Sequence, residues 1–386
     1  MVCQIGGFRH DAVIGLAGGR GDQFGRFFRH LRADFCDASD EEPAGVRSVG
    51  RGVFARVDDP FEAFERFSQT RHPMAPDDSP TVACPGDDAA AVAPLRGPQL
   101  DADCWFLSGP TAAGKTALAI HLARRLDAEI VSVDSMAVYR GLDIGTAKPS
   151  PAELAAVPHH LVDLVPPAES FSVARWLAAA TAAVDDIRSR SHRILFVGGT
   201  PLYLRALRDG LAPLPPGDPT FREKLAAEAS AAGTHALHAQ LAALDPAAAA
   251  RIHPHDAKRI IRALEVAHAT GRPLSAAFAP APHPVFDSHL LVVDLPRGLL
   301  YDRIDRRVEA MFARGLVEEA RAAAALPGGI GTTACQAPGY AEALAVLAGT
   351  LSIPDAIRRT QDRTRQLAKR QLTWLRSFRN AIWITA

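Results

Sequence analysis

The sequence predicts an α/β fold, a mainly parallel sheet covered by helices and interrupted by a helical insertion, and three observations carry that expectation. From Asp103 onward, short apolar runs alternate with alanine-rich stretches of helical period, the pattern of parallel strands joined through crossover helices. One junction, Gly109-Pro110-Thr111-Ala112-Ala113-Gly114-Lys115-Thr116, satisfies the eight-residue phosphate-loop pattern between a strand and a helix. From Thr220 to Thr270 the period is helical, broken at Gly233 and around His253 to His255. The expected architecture is a P-loop NTPase-like three-layer core in two parts, 101–212 and 286–386. A helical insertion over 213–285 separates them, and an extension over 1–100 precedes them.

Composition narrows the classes. With 43 basic and 43 acidic residues the formal net charge is zero, so any nucleic-acid contact has to come from a local basic surface. A hydrophobic share of 48% and a charged share of 22% are ordinary for a soluble chain with a sizeable core. Cys3, Cys36, Cys84, Cys104 and Cys335 show neither C-x-x-C pairing nor metal-ligand spacing, which points to reduced thiols and a cytoplasmic protein. No apolar run is long enough for a bilayer and no basic-then-apolar leader opens the chain, so no membrane partner is expected.

Residues 1 to 100 are rich in Gly, Arg, Asp and Pro without a persistent period, which predicts disorder. Phe24, Phe27, Phe28, Leu31 and Phe35 are spaced to line one side of a short docking or membrane-touching helix, but Gly25 and Asp34 interrupt the pattern and disorder is the favoured reading; a start of translation at Met74 would remove much of the extension. Cys104 to Leu107 then reads as a buried strand, with Leu118, Leu122 and Leu126 at helical spacing after the phosphate loop. The loop glycines let the backbone wrap an anion, the helix N-terminus offers unpaired N–H groups, and Lys115 adds a cation. The expected ligand is a phosphate or pyrophosphate group. The next strand, 129–134, ends in an acid. Ligands of open α/β sheets bind at the carboxyl ends of strands, which directs Asp134 into the crevice of the phosphate loop as an acid or base; a turn Asp is the alternative.

Tyr139 to Pro149 is glycine-punctuated and mixes cations with hydroxyls, a loop over a site. Adjacent His159 and His160 cannot point the same way on a regular element, which favours a structural role over a ligand pair. Phe171 to Arg188 is helical, and the strand 194–197 ends in Gly198-Gly199-Thr200. The lack of an acid there, where an ATPase places one for Mg²⁺, argues against nucleotide hydrolysis. The last insertion helix, 256–270, is expected to bury Ile260, Ile261, Leu264 and Ala267 or His268 and to display Lys258, Arg259 and Arg262. After a strand at 289–295, Leu299 to Ala325 reads as one long helix; Arg303 and Arg307, one turn apart, share a face suited to a pyrophosphate or to solvent. From Asp355 a final helix carries Arg358, Arg365, Lys369 and Arg376 beside Trp374, a basic stripe suited to a nucleic-acid backbone or to solvent.

Taken together, 109–116, 134–149, 198–203, 251–254 with 259–266, and 364–374 resemble the bacterial tRNA dimethylallyltransferases, a resemblance that spans residues 104–386. It implies transfer of a dimethylallyl group from dimethylallyl diphosphate to N6 of adenosine 37, in the anticodon stem-loop of tRNAs reading codons that begin with U. By the same resemblance Asp134 is the general base on the adenine amine and Thr200 lines the junction of the two substrates. The leaving diphosphate falls to the phosphate loop, to Arg307 and to a Mg²⁺ held through Thr116. Contacts to tRNA fall to Asp134, Ser135, Met136, Ala137, Lys258, Arg259, Ile260, Ile261, Arg262, Gln336, Gly339 and Tyr340, in a monomer. Ala137 stands where many relatives have glutamine, and Pro338 and Ala341 also depart from the family pattern. A small-molecule P-loop kinase and an isopentenyltransferase of free AMP are the enzymatic rivals; an RNA-binding protein with a vestigial loop is the other. The insertion and basic tail oppose the AMP enzyme, and Lys115, Thr116, Asp134 and Thr200 together oppose the vestigial loop.

Overall fold

The computed structural model describes residues 97–277, 286, 289–378 and 380–385. The predicted disorder, aromatic helix and alternative start within residues 1–96 lie outside the described residues.

Strands β1 (Cys104–Ser108), β2 (Ala128–Ser132), β3 (His159–His160), β4 (Arg193–Val197), β5 (Leu290–Asp294) and β6 (Ile382–Thr385) form one sheet in the order β3-β2-β4-β1-β5-β6. The pairings among β1 to β5 are all parallel. Strands covered on both faces need apolar residues at every position, and CWFLS of β1 is buried throughout, with Phe106 stacked on Phe196 at 5.1 Å. Helices α1 (Lys115–Leu126), α2 (Pro151–Ala156), α3 (Val173–Ser189) and α4 (Pro201–Asp209) belong to the first part of this layer structure. Helix α3 starts where the Ser172 hydroxyl accepts from Arg175 N–H, and it buries Trp176, Leu177, Ala180, Val184 and Ile187. His160 bonds Glu129 across β3 and β2, whereas His159 bonds the Val157 carbonyl and stands among the residues that line the pocket described below.

The insertion comprises α5 (Pro219–Ala232), α6 (Thr234–Leu244), α7 (Pro246–Ala249) and α8 (Ala257–Thr270). It has its own core, made chiefly of Leu225, Leu237, Leu241, Ile260, Ala263 and Leu264. Ala263 and Val266 are buried on α8, where Ala267 or His268 was expected; His268 is exposed and stacks on Phe221 at 4.4 Å.

Helices α9 (Arg297–Ala313) and α10 (Leu316–Ala324) replace the single helix expected over 299–325. Gly315, at φ 99°, takes a left-handed conformation that ends the first and starts the second. Helix α11 (Tyr340–Leu347) follows, and then α12 (Ile353–Leu375), whose inward face is Ala356, Thr360, Thr364, Ala368, Gln371 and Leu375. Among the described residues no helix is long and apolar enough to cross a membrane.

Candidate active site

The carboxyl ends of β1, β2 and β4 meet at one crevice. Gly109 leaves β1 at φ 152°, so close to β5 that a Cβ would stand 2.6 Å from the Val293 carbonyl oxygen. Gly114, at φ 88°, opens α1, and Lys115 Nζ donates to the carbonyls of Gly109 at 3.0 Å and Pro110 at 2.7 Å. Burial, reinforced by neighbouring Arg307 and opposed by Asp134, lowers the Lys115 pKa to about 8. Arg307 reaches over from α9, its Nη1 at 3.4 Å from Thr111 Oγ1; burial lowers its pKa too, again opposed by Asp134. Arg303, one turn earlier, comes within 3.6 Å of where a Gly114 Cβ would be. Two desolvated cations beside a glycine-bounded loop at a helix N-terminus make a site that gains most from a multivalent anion.

Asp134 follows β2 by two residues, at a point fixed by the Val133 N–H donating to Val197 O at 2.8 Å and the Thr200 N–H to Val133 O at 3.2 Å. Its Oδ1 accepts from Met136 N at 2.7 Å and Ala137 N at 3.4 Å, so the side chain closes a turn while lining the same pocket as Lys115 and Thr116. Both sequence readings of Asp134, turn and cleft, thus hold together. Thr200 precedes α4, yet its hydroxyl does not cap that helix; it accepts from Ser135 N at 3.0 Å. Gly198 allows this convergence, since a Cβ there would meet Val133 O at 2.2 Å.

The pocket holds about 90 Å³ and its lining includes Lys115, Thr116, Asp134, Ala137, Thr146 and Lys148. Beneath it, Trp176 donates to Ser132 O at 3.1 Å and stacks on Tyr203 at 4.5 Å. Burial first, then Tyr139 and Asp134, raise the Tyr203 pKa. Gln371 of α12 was not singled out in sequence, yet it joins two walls of the site: Thr111 N–H donates to its Oε1 at 2.9 Å, and its Nε2 donates to Gly199 O at 2.8 Å. The available signal was its place on the inward face, in series with Thr364, Ala368 and Leu375.

The residues expected to touch RNA are divided. Lys258, Arg259 and Gln336 are exposed, whereas Ile260 is wholly buried in the insertion core and Ile261 packs against it. Arg262 is engaged by Glu265 and by the Pro215 carbonyl at 2.8 Å. Gly339 and Tyr340 are buried, because the Tyr340 hydroxyl donates to Glu319 at 2.6 Å and its ring covers Gly145. These placements remove Ile260 and Tyr340 from the RNA-facing side chains. The basic stripe is also interrupted: Arg358 pairs with Asp355 and Arg365 with Asp362, each three residues away on α12 itself, and Arg365 also with Asp305, which α9 brings alongside. Lys369 and Arg376 stay exposed.

A family described as IPP transferase matches residues 137–378, and one described as isopentenyl transferase matches residues 102–163. A tRNA dimethylallyltransferase of Anaeromyxobacter dehalogenans (strain 2CP-C) is 53% identical over 282 residues, 72% of this chain and 93% of the relative. The solved tRNA isopentenylpyrophosphate transferase of Bacillus halodurans is 39% identical at a TM-score of 0.53, over 73% of this chain and 89% of that one. A eukaryotic dimethylallyltransferase solved while acting on tRNA is 27% identical at a TM-score of 0.59, over 72% and 73%.

Proposed function

The chain belongs to the IPP transferase family, and from that premise we propose that it acts on N6 of adenosine 37 in the anticodon stem-loop of tRNAs reading UNN codons. It is a prenyltransferase that transfers a dimethylallyl group to tRNA. The donor is dimethylallyl diphosphate, and the products are N6-(dimethylallyl)adenosine and diphosphate. The observation that carries this reading is the Asp134 carboxylate in one pocket with Lys115 and Thr116, while β4 ends without an acid.

N6 attacks C1 of the allylic donor as the C1–O bond breaks, and the bonding pair leaves with the diphosphate. Asp134 takes the proton that N6 loses, which an exocyclic adenine amine requires to act as a nucleophile. Loop N–H groups, Lys115 and Arg307 meet the charge that develops on the leaving oxygen. Thr200, bonded to Ser135 beside Asp134, lines the place where base and allyl group meet. The hydroxyl of Thr116 and the carboxylate of Asp134 are hard oxygen donors that suit Mg²⁺, and no group of three or more His, Cys, Asp or Glu ligands occurs among the described residues. Such a sparse protein set fits an ion whose other ligands are phosphate oxygens and water. Thr116 would hold it, and its charge would neutralise the diphosphate.

Adenosine 37 has to leave the anticodon-loop stack to reach this pocket. Lys258, Arg259, Gln336, Lys369 and Arg376 supply exposed polar and cationic contacts for the surrounding RNA. The protein works as a cytoplasmic monomer. Labelled dimethylallyl diphosphate offered to a stem-loop containing A36-A37-A38, beside AMP and an ATPase assay, should mark A37 alone. ATP consumption without transfer would overturn the reading in favour of a kinase.

A further inference from the structure

Glu319 of α10 is not among the residues lining the pocket, yet it is bonded to the loop that forms part of the wall. Its Oε2 accepts from Asp143 N at 2.9 Å and Ile144 N at 2.8 Å. Its Oε1 accepts from Ile144 N at 3.1 Å, Gly145 N at 3.3 Å and the Tyr340 hydroxyl at 2.6 Å. Three successive N–H groups converging on an anion form a nest of the kind that binds free anions. Here the anion is a side chain 174 residues along the chain. The Tyr340 ring lies so close to Gly145 that a Cβ there would stand 2.5 Å from Cε2 and 2.9 Å from Leu316 Cδ1. The residues directly after this clamp, Thr146 to Pro149, line the pocket with Lys115, Thr116 and Asp134. Lys148, whose side chain is 4% exposed, anchors the far end through Asp143, Asp163 and the Tyr139 carbonyl.

We propose that Glu319, with Tyr340, is a positioning residue that holds 143–145 in place and thereby sets the pocket wall against which the allylic diphosphate is bound. This rests on the function proposed above for the pocket. None of the clamp's groups is assigned to bond making or breaking, so loosening it acts on donor binding more than on turnover.

Glu319→Gln keeps the shape of the side chain but turns one acceptor oxygen into an N–H₂ group facing N–H donors. Amide exchange at 143–145 should accelerate. The KM for dimethylallyl diphosphate should rise on the order of 10-fold, as when the wall is in place about a tenth of the time, with kcat changed less than about 3-fold. Tyr340→Phe leaves the three N–H bonds and should raise KM by roughly 2- to 3-fold, and it serves if the Gln variant does not fold. Unchanged exchange, or faster exchange with wild-type KM and kcat, would overturn the proposal. A wild type inert toward the stem-loop would sink the functional reading instead; exchange at 143–145 and the calorimetric Kd for inorganic diphosphate would then still decide whether the clamp shapes the site.

Discussion

At the scale of single residues, the site is governed by desolvated charge. Lys115 is held near a pKa of about 8 by burial and by Arg307. A bound diphosphate raises that value, so below about pH 8 the ammonium is present before and after binding, while above it binding has to take up a proton. The Kd for dimethylallyl diphosphate should therefore be flat up to about pH 8 and rise about 10-fold per unit beyond it. Calorimetry across that range checks this, and Lys115→Arg should flatten the profile. Asp134 has two tasks that one substitution separates. Asp134→Asn keeps an oxygen for Met136 and Ala137 N–H but removes the base, so kcat should fall by on the order of 10²-fold or more with tRNA affinity and Tm near wild type. A variant with normal turnover would remove Asp134 as the base. The acid at the end of the second strand was legible in sequence, because strand ends face the crevice of an α/β sheet. That it also closes a turn required the structure.

At the scale of elements, the helices were legible where their period was clean and were misread where one backbone conformation intervened. The helix expected over 299–325 divides because Gly315 turns left-handed, and apolar periodicity continues smoothly through such a break. The division creates α10, from which Glu319 reaches the loop at 143–145. Helix α12 was read as a basic stripe, and its functional contribution lies partly on the opposite face. Gln371 satisfies Thr111 N–H and Gly199 C=O together. Gln371→Ala leaves both without that partner and should cost about 2 kcal/mol in urea unfolding. Transfer activity should fall with it, since the phosphate loop and the Gly199 turn lose their common anchor; unchanged activity in a destabilised variant would show that the anchor serves folding alone.

At the scale of the whole molecule, all the residues given a role in the chemistry lie between Gly109 and Gln371, and the relative from Anaeromyxobacter aligns with 72% of this chain across 93% of its own length. Removing residues 1 to 95 should leave transfer to the stem-loop within about 2-fold of the full chain, since every residue given a role in the chemistry lies after them in sequence. A dead truncation would assign the extension a role in tRNA capture or stability. The sequence by itself determined the phosphate loop, the alternation that makes a parallel sheet, the acid at the end of β2 and the helical insertion. Each of these is written in residues that are neighbours in the chain or recur at a fixed period, so local chemistry suffices to read them. The tertiary structure alone decided that Gln371 joins two walls of the site and that Tyr340 and Ile260 belong to cores. It also decided that Glu319 clamps a loop distant in sequence. Those facts depend on contacts between residues as far as 260 apart, whose register is set by how helices and sheet pack and has no periodic trace in the chain.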